Sequence, residues 1–210
     1  MKLIKNILPK KFEEIIDTGE FQDEGGIKII SLDYYADDLK VEFSLDLGDE
    51  DKPNQLWELQ IDGLRDQKIV VDWANNLEFY SDHFLLWEFT QNHTSLYFKK
   101  KADNPDKLIA DIFKTHRAIF EKWFDVEKYI SSFFFGLCNE SNGLFANGPM
   151  EILDYYHRVL KKNNTEPYYY GSSEPKRWDG EQWVVEDKDL KLLIMGDSYF
   201  VGKGFTFQQV

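Results

Sequence analysis

Between Leu39 and Leu47 the chain alternates without a break. Leu39, Val41, Phe43, Leu45 and Leu47 are apolar, while Lys40, Glu42, Ser44 and Asp46 are polar. A period of two predicts a strand with one face on a core and the other in water. The pattern returns after the turn-rich stretch 48–54, where Trp57, Leu59 and Ile61 interleave with Glu58, Gln60 and Asp62. One strand cannot bury such a face alone, so the chain has to build a sheet and a layer to cover it. A length of 210 residues, 42% of them hydrophobic and 16% aromatic, is enough for that core without disulfides or metals.

Further strands are predicted at residues 27–34, 68–72, 77–80 and 95–99, separated by polar turns. A helix begins at Asn104-Pro105, an N-cap followed by proline at the first helical position. Leu108, Ile109, Ile112, Phe113, His116, Phe120, Trp123 and Phe124 follow at helical spacing as one wide apolar stripe. A second helix starts at Pro149, with Ile152, Leu153, Tyr156, Val159 and Leu160 as its stripe. The stretch 139–148, with two Asn-Gly pairs, reads as an irregular loop between them. Asp179-Gly180 marks a hairpin tip, and strands are expected at 182–186, 190–195, 199–201 and 205–208. The order is an antiparallel β-meander, two central helices packed on it, and C-terminal antiparallel strands, which is an α+β fold. We expect a single domain over 1–210, with N-terminal strands at 1–103, a helical pair at 104–163 and a C-terminal meander at 164–210.

The net charge is -13, and it is concentrated. Residues 13–51 carry 14 acids against Lys28 and Lys40, a net of -12, whereas residues 1–12 carry four lysines and no acid. This balance counts against direct binding to nucleic acid or to an acidic membrane surface. The basic opening of the chain is interrupted at Lys5 and Pro9, so it reads as a short docking segment and not as a signal peptide. With the lone Cys138, these features predict a cytoplasmic protein with no membrane span and no disulfide.

Motifs that would carry chemistry fail on spacing. The glycines of residues 196–204 are one residue too far apart for a phosphate loop, lack the metal-binding Ser/Thr and have no following helix, so they predict a hairpin turn on Gly202 and Gly204. Ser198 lacks a nucleophile-elbow context. The loop 46–54 puts Asp51 where a calcium-binding helix–loop–helix needs glycine. His83, His93, His116 and His157 show no ligand spacing, although Asp82-His83 and His93 flank one expected hairpin. Cys138 follows a run of phenylalanines and reads as an inert buried thiol. No carboxylate pair is marked as an acid/base couple, no cofactor is indicated, and a non-enzyme is favoured over an enzyme.

Three functional readings follow. The first is an interaction protein that binds a basic protein partner through Asp37, Asp38, Glu42, Asp46, Asp49, Glu50 and Asp51. In composition the chain is similar to small acidic bacterial immunity and inhibitor proteins, with no shared motif. The second is an enzyme or small-ligand binder with a pocket between sheet and helices, lined by His116, Asn142, Asn147, Tyr169 and Trp178. The third is a structural homo-oligomer joined through sheet edges.

Overall fold

The computed structural model describes residues 1–4, 7–17, 21, 24–49, 51–131 and 133–210. The chain divides into two compact units, residues 1–86 with 189–210, and residues 87–188. In chain order the first unit contains β1 (Lys2–Leu3), α1 (Lys10–Ile16), β2 (Gly26–Tyr35), β3 (Asp38–Asp46), β4 (Gln55–Asp62), β5 (Asp66–Lys68) and β6 (Leu77–Asp82). Helix α2 (Phe84–Thr90) crosses into the second unit. There β7 (His93–Phe98), α3 (Pro105–Phe120), α4 (Phe134–Leu137), β8 (Gly143–Pro149), α5 (Met150–Lys162), β9 (Pro167–Ser173), β10 (Lys176–Trp178) and β11 (Trp183–Val185) follow. The chain then returns to the first unit with β12 (Lys191–Met195), β13 (Ser198–Gly202) and β14 (Gly204–Gln209). The fold is α+β and its named strand pairings are antiparallel.

Among the described residues the first unit has two sheets, in the orders β14-β4-β3-β2 and β1-β6-β12-β13-β5. Every second residue of β3 from Leu39 to Leu45 is fully buried, as are Leu59 and Ile61 of β4. These side chains share one core with Phe79, Leu193, Met195 and Phe200 of the other sheet. Helix α1 supplies Phe12, whose ring lies 4.9 Å from Trp57, 5.9 Å from Phe43 and 5.5 Å from Phe207. The C-terminal strands therefore complete sheets begun by the N-terminal ones. β14 runs along β4, and β12 along β6. The chain passes from one sheet to the other at Gly202–Gly204. A Cβ on Gly202 would sit 2.7 Å from the Ile61 side chain, so the crossing needs glycine there.

In the second unit β7 is the centre of a three-stranded sheet, in the order β8-β7-β9. Helix α5 lies along this sheet with Ile152, Leu153, Tyr156, Val159 and Leu160 buried, and α3 packs against α5. The Asn104 side chain accepts the Lys107 N–H at 3.0 Å, the cap that its position predicted. No helix among the described residues is long and apolar enough to cross a membrane.

Several expectations change. The loop placed at 139–148 is mostly strand β8. Leu96 and Tyr97 of β7 give it an aligned partner, and Gly148 lets the Tyr129 ring lie against the backbone, 2.5 Å from where a Cβ would sit. Residues 69–72 lie outside β5, which is only Asp66–Lys68. The tight hairpin of the C-terminal strands turns at Gly196-Asp197, between the paired Met195 and Ser198, and not at Gly202–Gly204. Gly196 has a φ of 58°, the left-handed geometry such a turn requires. His83 and His93 do not flank a hairpin, because α2 stands between them in the chain.

Replacing Phe12 with alanine removes a ring shared by α1 and the sheet β14-β4-β3-β2. Urea unfolding of this variant is expected to show a loss of about 3–5 kcal/mol.

Candidate functional site

The outer face of the sheet β14-β4-β3-β2 is built by the residues that alternate with its core. Lys40, Glu42 and Ser44 of β3 are half-buried between fully buried neighbours, so they point away from the core. Glu42 stands directly opposite Glu58 of β4, and Lys40 opposite Asp33 of β2 on one side and Gln60 on the other. Asp62, at the end of β4, lies over Gly204 of β14, its carboxylate 2.7 Å from the position a Cβ would take. Asp33, Glu42, Glu58 and Asp62 thus share a face whose strand cations are Lys28 and Lys40.

Lys40 Nζ lies 3.0 Å from Glu58 Oε1, and this bond raises the lysine above its ordinary pKa. Glu42 accepts the Ser31 hydroxyl at 3.0 Å. Like charges directly opposite each other on antiparallel strands are destabilising. Lys40 offsets part of that cost at Glu58, and the core register holds the Glu42–Glu58 opposition in place.

The acids singled out from the sequence divide into two groups. Glu42 lies on the open face. Asp38 Oδ1 accepts the Gly63 N–H at 2.8 Å and Asp46 Oδ1 accepts the Gly48 N–H at 3.0 Å, so both tie down turns. Asp49 accepts the Asp51 N–H at 3.1 Å and pairs with Lys52 at 2.7 Å, which holds its carboxyl below the usual range. Asp37 sits in the exposed β2–β3 turn, and its carbonyl accepts the Leu64 N–H at 2.6 Å. Asp51 is exposed in the β3–β4 connection, and Glu50 lies outside the described residues. The sequence reading missed Asp33, Glu58 and Asp62. Their alternation with Leu32, Trp57 and Ile61 was the available signal.

The residues of the ligand-binding alternative are held by different partners. His116 is 2% exposed. Its Nε2 is 2.7 Å from the Phe124 carbonyl, which can only accept, so Nε2 carries the proton and Nδ1 accepts from the Tyr156 hydroxyl at 2.8 Å. Both nitrogens are engaged, and burial lowers the imidazole's pKa. Tyr169 turns toward α5, where its hydroxyl donates to Asp154 and its ring stacks on His157 at 5.0 Å. Tyr168 and Tyr170 point to the opposite face and are exposed. Asn142 is exposed before β8, Asn147 Nδ2 donates to Ser95 Oγ at 3.3 Å, and Trp178 stands on the exposed β10–β11 ribbon.

Other candidate chemistry has structural partners. Ser198 Oγ is buried, 2.9 Å from the Val70 N–H and 3.3 Å from its carbonyl. Burial pushes the Cys138 thiol up to about 11. A cavity of about 390 Å³ in the second unit is lined by Glu88, His93, Glu174, Lys176 and Glu186 among others. Glu186 lies 3.5 Å from Arg177, Glu174 lies 3.6 Å from Lys188, and His93 Nε2 donates to the Glu88 carbonyl at 2.8 Å. Among the described residues no group of His, Cys, Asp and Glu side chains converges as metal ligands. No protein-family model, curated protein or solved structure matches the chain.

Glu42→Gln keeps an acceptor for Ser31 and removes the like-charge opposition to Glu58. It is expected to raise stability by about 0.2–1 kcal/mol in urea unfolding. His83 is buried, its Nδ1 accepts the Leu85 N–H at 3.2 Å, and burial lowers its pKa to about 4. The folded state holds the ring neutral, while the unfolded chain binds a proton below about 6.5. Its stabilising contribution is therefore complete above pH 6.5 and is lost as pH falls toward 4. Unfolding followed between those values is expected to show this loss, and His83→Asn, which preserves the acceptor without the titration, to reduce it.

Proposed function

We propose that this chain is a cytoplasmic interaction protein that binds a basic protein partner through the acidic outer face of the sheet β14-β4-β3-β2, in the manner of an inhibitor or immunity protein. The observation that carries the reading is the in-register pair Glu42 and Glu58. A polar residue such as threonine or glutamine would solvate this face equally well without opposed charges. Arginine or lysine from a partner, seated between the two carboxylates, would turn that repulsion into a favourable bridge. Asp33 and Asp62 extend the negative potential on the same face and would steer a basic partner toward it. The turn acids Asp38, Asp46 and Asp49 contribute to the field but are bound to their own loops. The free buried Cys138 agrees with a reducing compartment.

The test is a titration with a short oligolysine peptide from about 0.01 to about 1 M salt, over which the Debye length falls from roughly 30 to 3 Å. Binding is expected to weaken steeply with salt. Glu42→Gln/Glu58→Gln should weaken it several-fold more than Glu13→Gln/Glu14→Gln, which removes the same charge from α1. Equal losses would mean that net charge alone attracts the peptide, and the reading would fail. The face variant should also unfold at higher urea than the parent, so its lost binding cannot be put down to misfolding.

A further inference from the structure

Strands β10 and β11 form a two-stranded sheet of their own, with Lys176 opposite Val185, Arg177 opposite Val184 and Trp178 opposite Trp183. Lys176, Trp178, Trp183 and Val185 share one face by these pairings. Trp178 is 54% exposed, Trp183 66% and Val185 49%, so two indoles and a valine stand in water on a ribbon that, among the described residues, has two strands. An isolated pair of strands is marginal in water and its apolar face needs a cover.

The ribbon is nevertheless held in shape. Asp179 Oδ1 accepts the N–H groups of Glu181 and Gln182 at 2.9 and 2.8 Å, which sets the turn. At the other end Glu186, 5% exposed, lies 3.5 Å from Arg177, and its N–H donates to the Pro175 carbonyl at 2.9 Å. The tryptophans meet edge to face, with their ring centroids 5.9 Å apart. This is a pre-organised aromatic surface, the kind that loses little entropy on association.

We infer that the occupant is a second copy of the ribbon, joined face to face about a two-fold axis with the strands running in opposite directions. Charge complementarity selects this arrangement. The tip carries Glu181, beside the Asp179 that is bound in the turn, and the base of the tryptophan face carries Lys176. A two-fold arrangement sets each acidic tip against the other copy's lysine, and each tryptophan pair against the other copy's Val185 and the Lys176 stem. A Lys176 ammonium then lies near a facing indole, a favourable cation–π placement. A parallel arrangement would instead put tip acids on tip acids.

The area sets the strength. The exposed apolar surface is roughly 350 Å² per copy, so the pair buries about 700 Å² of it, below the roughly 1,200 Å² at the lower edge of stable interfaces. The dimer is therefore weak and concentration-dependent. This inference is independent of the acidic face proposed above and uses none of its residues.

Sedimentation velocity of the full chain from about 5 to about 500 μM is expected to show a reversible monomer–dimer equilibrium. Trp178→Ala and Trp183→Ala should each weaken it by about tenfold, with thermal unfolding showing that each variant is folded. Lys176→Glu and Glu181→Lys should each weaken self-association when alone. Mixed in equal amounts they should restore it, because both contacts between positions 176 and 181 in the heterodimer again pair opposite charges. A parent protein that stays monomeric throughout, a dimer indifferent to both tryptophan variants, or a mixture no tighter than either charge variant alone would overturn the inference.

Discussion

The closed packing of the β3 inner face is the constraint on which the first unit rests. Leu39, Val41, Phe43 and Leu45 are fully buried, and the ring of Phe12 sits against Phe43, Trp57 and Phe207. A slip of one residue along β3 would turn this whole set into water and bring Lys40, Glu42 and Asp46 into the core. The register is therefore fixed by burial worth far more than any surface charge pair. Once it is fixed, Glu42 has no choice but to face Glu58. The electrostatic character of the open side follows from the packing of the closed side.

This dependence explains what could be read from the sequence. β3, β4, α3 and α5 carry their periodicity in consecutive residues, and each is found close to where its pattern put it. Pairing over long separations leaves no such local mark. Nothing in the sequence around Phe205 and Phe207 announces that β14 will lie along β4, or that β12 will lie along β6. Residues 164–210 looked continuous because their strands are closely spaced, yet β9–β11 belong to the second unit and β12–β14 to the first. The short α2 was missed because Phe84, Leu85 and Leu86 are buried in a row and carry no helical period. β8 was missed because two Asn-Gly pairs outweighed Leu144, Phe145 and Ala146, of which Phe145 and Ala146 are buried.

The acidic segment illustrates a different gap. Counting charges located the imbalance but could not separate a carboxylate that closes a turn from one that faces outward. Asp38, Asp46 and Asp49 each accept a backbone N–H close to a glycine or a turn, the usual work of aspartate in connections. Glutamate has a longer arm and is less suited to that work, and Glu42 and Glu58 both lie within strands on the open face. The chemical distinction between Asp and Glu was thus present in the sequence. Its meaning depended on knowing which strands were neighbours.

The same period of two sorts the aromatics of the second unit. Tyr168, Tyr169 and Tyr170 are identical in chemistry and adjacent in sequence, but alternation sends Tyr169 toward α5 and leaves its neighbours outside. The inward tyrosine finds a carboxylate and a ring to pack on. The outward Tyr168 and Tyr170 pack around Tyr97 on the open side of the sheet β8-β7-β9. In β10 and β11 the alternation that would build a core in a wider sheet leaves Trp178 and Trp183 exposed. A tryptophan pair cannot be explained by solubility and contributes little to a sheet of only two strands. Its placement on a braced turn is most simply accounted for by a surface that it meets from outside.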